Sequence, residues 1–216
     1  CGIYALTGSF NAIIKNNRIF NISFNNSITG LHPGPGFATG QPVPANTNGI
    51  WIRMSFNATV NTYKIYNNHI SKLYNTSASS LGGIFGLALS SREVNHTIYH
   101  NTILIGDNTN QVTSNIVGDF GVAAVGYLNR VGTGLTDLRN NILYVNVMPK
   151  GSGYVSALAA IKNHDVDLST FFTNPGQTGV RPPNYNTSSN NNIFYAPSVH
   201  GRRSYLYCEG SGTGTE

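Results

Sequence analysis

Short apolar alternations ending in asparagine recur five times along the chain: Ala12-Ile13-Ile14-Lys15-Asn16-Asn17, Tyr63-Lys64-Ile65-Tyr66-Asn67-Asn68, Thr97-Ile98-Tyr99-His100-Asn101, Thr136-Asp137-Leu138-Arg139-Asn140-Asn141 and Ser189-Asn190-Asn191-Asn192. Aligned on the last Asn of each, the position three residues earlier is Ile14, Ile65, Ile98, Leu138 and Ser189, apolar in four of the five. A further apolar strand opens one or two residues beyond, at Ile19, Ile70, Ile103, Ile142 and Ile193. A third element precedes each unit and begins at a glycine: Gly2-Ile3-Tyr4, Gly49-Ile50-Trp51, Gly83-Ile84-Phe85, Gly121-Val122-Ala123 and Gly153-Tyr154-Val155, with a sixth start at Ser204-Tyr205-Leu206-Tyr207. Period-two alternation marks strands, and an order of elements repeated at intervals of tens of residues marks a stacked repeat.

Equivalent Asn residues lie 51, 33, 40 and 51 positions apart, so a constant core alternates with loops of variable length. The loops carry turn chemistry in His32-Pro33-Gly34-Pro35-Gly36, Pro42 to Pro44, Asp107 to Asn110 and Asn174-Pro175-Gly176 through Pro182-Pro183. A solenoid tolerates such insertions because each coil touches only its neighbours. The pattern predicts an all-β chain folded as a parallel β-helix, one domain over 1–216 with about five three-stranded coils and variable loops. Asn17, Asn68, Asn101, Asn141 and Asn192 then form a structural ladder, since an amide carries both a donor and an acceptor and can bond the amide above and below. A β-sandwich also has short strands, but nothing in it requires the same order of elements five times. Val155 to Ile161 has local helical propensity; its place in the repeat makes it a strand.

The phrasing of Leu138-Arg139-Asn140-Asn141-Ile142-Leu143 and Asn190-Asn191-Asn192-Ile193-Phe194-Tyr195-Ala196 resembles the right-handed parallel β-helix repeats of large bacterial cell-surface and secreted proteins, in particular the Asn-, Thr- and Tyr-rich substrates of the type IX export system. The resemblance runs over about residues 2 to 208 and implies a right-handed solenoid with an extracellular or cell-surface location. Its family includes pectate-lyase-like enzymes and many members with no demonstrated chemistry. The sorting domain expected of a type IX substrate is not among these residues.

Composition supports the repeat. The chain holds 29 Asn, 24 Gly, 19 Ser and 19 Thr in 216 residues, and charged residues are 10% against about 25% in an average domain. Hydrophobic residues at 40% exclude a disordered tract. The net charge of +5 comes from 13 bases and 8 acids. Arg202-Arg203 is the one adjacent pair of bases, so the clustered cations of a nucleic-acid groove are missing. No apolar run is long enough for a membrane span, and no charged-then-apolar leader opens the chain, which reads as a mature or trimmed piece.

For chemistry, Asp165-Val166-Asp167 puts two carboxylates on one side of an extended segment beside His164. These three are the candidates for catalysis, or for weak Ca²⁺ binding, in a polysaccharide lyase or hydrolase; Asp107 to Asn110 is a second oxygen-rich turn. His96 and His100 lie on one strand, roughly 13 Å apart, too far to share a zinc ion, and no metal site is expected. Six Asn-x-Ser/Thr sequons match the roughly five that composition alone provides. Strand alternation turns Tyr4, Trp51, Phe85, Ala123 and Val155 outward, and Tyr66 and Tyr99 form a second outward pair flanked by Lys15 and Arg139. Such aromatic columns can bind a polysaccharide or another protein surface. Cys1 lies at the start of the first coil and Cys208 in the last strand, roughly 24 Å apart over five steps of the stack, which excludes a bridge between them within one chain. They are free thiols, an acylated lipoprotein terminus in the case of Cys1, or partners of cysteines elsewhere. The expected function is a non-catalytic structural or adhesive β-helix of the cell surface or extracellular matrix, either a fragment of a larger protein or a subunit stacking with copies of itself. A β-helix polysaccharide lyase using Asp165 and Asp167 is the enzymatic alternative, and a secreted carbohydrate-binding module a third reading.

Overall fold

The computed structural model describes residues 1–7, 11–24, 47–54, 61–75, 84–90, 94–106, 112–113, 122–127, 135–149, 155–161, 188–197 and 204–210. Among these residues the chain is all-β and contains no helix. The first pass consists of β1 (Ile3–Thr7), β2 (Ala12–Lys15), β3 (Arg18–Ile19) and β4 (Ile22–Phe24). The second repeats the order with β5 (Thr47–Met54), β6 (Asn61–Tyr66), β7 (His69–Ser71) and β8 (Leu73–Asn75). In the third come β9 (Ile84–Ser90), β10 (Val94–Tyr99), β11 (Thr102–Ile105) and β12 (Val112–Thr113), and in the fourth β13 (Val122–Tyr127), β14 (Thr136–Arg139), β15 (Ile142–Val145) and β16 (Met148–Pro149). A fifth holds β17 (Val155–Ile161), a bridge from Arg139 to Asn190 and β18 (Ile193–Tyr195), and β19 (Ser204–Gly210) follows.

Successive passes pair in parallel and in register. A six-stranded sheet has the order β1-β5-β9-β13-β17-β19, a four-stranded sheet β14-β10-β6-β2, and a five-stranded sheet β18-β15-β11-β7-β3, with small sheets β4-β8 and β12-β16 at one corner. Each described pass therefore visits the three main sheets in the same sequence and lies on the pass before it. Val155–Ile161 is a strand, β17, so pairing with β13 and β19 overrides its helical preference.

One apolar core fills the space between the sheets. It includes Ile50, Ile84, Leu87, Val122 and Val125 from the six-stranded sheet, Ile65, Ile98 and Leu138 from the four-stranded, and Ile19, Ile70, Ile103 and Leu143 from the five-stranded. Burying one such side chain contributes about 1.5–3 kcal/mol, and stacking repeats that contribution in every layer. The column two residues beyond the ladder Asn is Ile19, Ile70, Ile103, Leu143 and Phe194. Ile142 and Ile193, read from sequence as members of that column, instead sit one residue early and point outward, 41% and 60% exposed.

The glycine column also differs from its sequence reading. Gly2 and Gly49 are neighbours, but the pairing of Ile50 with Leu87, and of Leu87 with Val125, brings Gly86 and Ala124 next in line, not Gly83 and Gly121. The physical cause is room: a Cβ at Gly2, Gly49 or Gly86 would collide with the γ2 methyl of Ile19, Ile70 or Ile103 across the core, and with the carbonyl of the adjacent layer. Gly83, Gly121 and Gly153 lie outside the described residues.

Candidate functional site

The turn joining the four- and five-stranded sheets organises the outer surface. At its first position stand Asn16, Asn67, His100, Asn140 and Asn191, all left-handed with φ between 53° and 58°. Asn tolerates that conformation better than most residues, which explains the Asn-Asn dipeptides: the first residue makes the turn and the second makes the ladder.

The ladder is continuous. Nδ2 of Asn17 donates to Oδ1 of Asn68 at 2.9 Å, Asn68 to Asn101 at 2.9 Å, Asn101 to Asn141 at 3.0 Å and Asn141 to Asn192 at 2.9 Å. Each receiving Oδ1 also accepts the backbone N–H of the same donor residue, at 2.9–3.1 Å. Backward, Nδ2 of Asn68, Asn101, Asn141 and Asn192 donates to the carbonyls of Ile14, Ile65, Ile98 and Leu138 in the preceding layer. Each inner amide thus ties three layers together. The role is structural, because every described donor and acceptor of Asn68, Asn101 and Asn141 is engaged by the protein itself.

On the outer side of the four-stranded sheet, Lys15, Tyr66, Tyr99 and Arg139 occupy one column in consecutive layers. The Tyr66 and Tyr99 rings stack at 4.6 Å between centroids and 9° between planes. The Lys15 ammonium lies 5.9 Å from the Tyr66 centroid. Stacking along the column turns the ring faces toward one another, so solvent meets ring edges, phenol hydroxyls and the flanking cations. Burial raises the Tyr99 phenol above its ordinary value, Tyr66 adds to the rise, and Lys15 opposes it. Arg139 holds Asp137 through Nε at 2.7 Å and Nη2 at 2.5 Å, and this hydrogen bonding raises the guanidinium further. A second stack was not read from sequence: Tyr144 and Tyr195, outward on the five-stranded sheet, lie 4.7 Å and 4° apart. Their signal is the in-register pair Ile142-Leu143-Tyr144 and Ile193-Phe194-Tyr195.

The expected column Tyr4, Trp51, Phe85, Ala123 and Val155 does not exist as one. Tyr4 and Trp51 are paired, with centroids 5.0 Å apart and planes tilted by 52°. The layer after Trp51 contributes Ala88, and Phe85 aligns with Asn48 and Ala123. Phe85 and Ala123 face away from the main core as expected, yet with Ala88 they are buried in a second small cluster against Trp51. Val155 points inward beside Val122. Gly86, three residues beyond Gly83, holds the position next to Gly49, which carries Phe85 out of register with Trp51.

His96 is fully buried beside Tyr63 and Thr136, and burial lowers its imidazole pKa to about 3. His100 is exposed in the turn, so the two histidines do not converge. Among the described residues no group of three or more His, Cys, Asp or Glu could hold a metal ion, and no helix is long and apolar enough to cross a membrane. His164, Asp165, Asp167 and the Asp107–Asn110 turn lie outside the described residues. Cys1 is an exposed free thiol whose Sγ donates to the Ile3 carbonyl at 2.9 Å. Strands β1, which follows it, and β19, which contains Cys208, are at opposite edges of the six-stranded sheet, five strand steps of about 4.8 Å apart. Compared with protein-family models, curated proteins and solved structures, the chain matches none.

Proposed function

We propose that the chain is a right-handed parallel β-helix and that it acts as a non-catalytic scaffold of the extracellular space or cell surface, whose outer columns adhere to glycans. Three points support the solenoid: the constant sheet order, parallel register in each main sheet, and a core shared by all the main sheets. Right-handedness follows from the strong preference of parallel crossovers for that hand.

The observation that carries adhesion is the Lys15-Tyr66-Tyr99-Arg139 column. The cations and phenol hydroxyls in this row are hydrogen-bonding groups spaced by one strand step per layer, a repetitive array suited to a repetitive polymer of hydroxyls. The one acid whose side chain is described, Asp137, is held by Arg139 in this column.

The test combines binding with turnover. Neutral and acidic polysaccharides are titrated into the intact chain, and the same polymers are assayed for chain cleavage, with Asp165→Asn as control. Binding weakened about tenfold by joint Tyr66→Ala and Tyr99→Ala replacement, with no cleavage, supports the proposal. Cleavage that Asp165→Asn abolishes overturns it in favour of a lyase or hydrolase.

A further inference from the structure

Around the turn from the tyrosine column, Asn16, Asn17, Arg18, Asn67 and His69 line an open cleft of about 380 Å³. Arg18 and His69 are register partners on the outer face of the five-stranded sheet. The same column continues as Thr102, Ile142 and Ile193, β-branched residues that suit an outward strand position. Arg18 and His69 thus stand side by side at a strand spacing of about 4.8 Å, and both carry N–H donors on this face.

The neighbourhood adds to this. Lys15, Lys64 and Lys72 belong to the same two layers, whereas the one acid with a described side chain, Asp137, lies two layers beyond the second and is taken by Arg139. Among the described residues neither Arg18 nor His69 has an ion-pair partner. The Arg18 guanidinium sits 5.4 Å from the centroid of Phe20, an exposed ring against which it packs. The backbone N–H groups of Asn16 and Asn67 are spent on the Tyr66 and Tyr99 carbonyls, so the left-handed turns leave only their side-chain amides at the rim of the cleft.

We infer that this cleft is an anion subsite, in which Arg18 and His69 bind the carboxylate or sulfate group of an acidic polysaccharide. Arg18 supplies a permanent charge and a planar fork of donors, and His69 supplies a ring N–H donor. The inference rests on the glycan-binding reading above and narrows it to acidic polymers.

Calorimetric titration of the intact chain with a polyuronate, a dextran sulfate and a neutral dextran of matched length tests it, and the tighter of the first two identifies the anionic group. At least one acidic polymer is expected to bind about tenfold or more tighter than the neutral one, with the difference shrinking as salt is added. Arg18→Gln and His69→Gln each reduce that affinity, by about tenfold for Arg18, while Arg18→Lys retains part of it. Lys64→Gln, which removes a charge outside the cleft, changes affinity less than about twofold. Circular dichroism confirms that the variants fold. Equal binding of acidic and neutral polymers overturns the anion subsite and leaves glycan adhesion standing. Preference for the acidic polymer that Arg18→Gln does not alter moves the site elsewhere and overturns the inference too. Failure of all three polymers to bind overturns the glycan reading itself.

Discussion

Gly86 and Ile103 face each other across the interior with no room for one more carbon between them: a Cβ at Gly86 would overlap the Ile103 γ2 methyl and lie 2.5 Å from the Ala124 carbonyl oxygen. Gly49 stands in the same relation to Ile70 one layer earlier, its Cβ position 2.5 Å from that methyl. Gly86→Ala is therefore expected to cost about 3 kcal/mol, the upper part of the usual range for overpacking, because backbone as well as a side chain must move. Ile103→Ala in the same chain will not restore stability, since the carbonyl clash persists and a cavity is added. Urea denaturation measures both, and a Gly86→Ala chain as stable as the parent would show that the sheets can separate freely.

The same contact explains what the sequence could and could not reveal. The ladder was legible because Asn recurs at a fixed offset from Ile14, Ile65, Ile98 and Leu138, all inward on one straight, short sheet. The six-stranded sheet was legible in kind but not in register. At its glycine position strict alternation breaks, for Ala124 and Val125 are consecutive yet both belong to the core. An alternation count cannot follow a strand through that point, and Gly83, three residues before Gly86, offers itself as a false anchor. Phe85 therefore lies in register with Asn48 and Ala123 and not with Trp51, and Val155, two residues beyond Gly153, takes the inward position next to Val122. The Arg18 and His69 cleft was hidden differently, since two single bases 51 residues apart become neighbours only once the register is known.

Ladder strength should depend on position. Asn101→Ala in the middle removes the acceptor of two Asn68 donors and the donor to Asn141 and Ile65, all buried. Each orphaned group costs about 1–3 kcal/mol, so a loss of roughly 4 kcal/mol is expected. Asn17→Ala removes no acceptor from a described layer and should cost about half as much. Equal losses in chemical denaturation would mean that the amides act as spacers and not as a hydrogen-bonded chain.

The turn column offers stabilisation. His100 holds φ at 55°, a conformation that costs a side chain other than Gly, Asn or Asp about 1 kcal/mol, and its four equivalents are all Asn. His100→Asn is expected to raise stability by about 0.5 kcal/mol, and Asn140→Val to lower it by more than 1 kcal/mol, about the strain of a β-branched residue there. A thermal midpoint that falls with His100→Asn would contradict the turn assignment, unless the edge contact of His100 with Tyr99, at 5.5 Å, outweighs the strain; Tyr99→Leu in both backgrounds separates the two effects.

His96 makes the stability of the protein depend on pH. Enclosed beside Tyr63 and Thr136, its imidazole is held neutral, with a pKa lowered from 6.5 to about 3 by burial. In the unfolded chain the same group takes up a proton below about pH 6.5. The unfolded state then binds more protons than the folded one, so the contribution is complete above that pH and declines as pH falls toward 3, by up to about 1.4 kcal/mol per unit. By pH 5 the loss approaches about 2 kcal/mol. Replacing His96 with Phe removes the titrating group while keeping a planar ring in the core. Urea midpoints of parent and His96→Phe chains, followed from pH 7.5 to 4, should diverge below 6.5, with the parent falling and the variant nearly level. Parallel decline of the two would assign the acid sensitivity to other groups and show that His96 is reached by protons in the folded state.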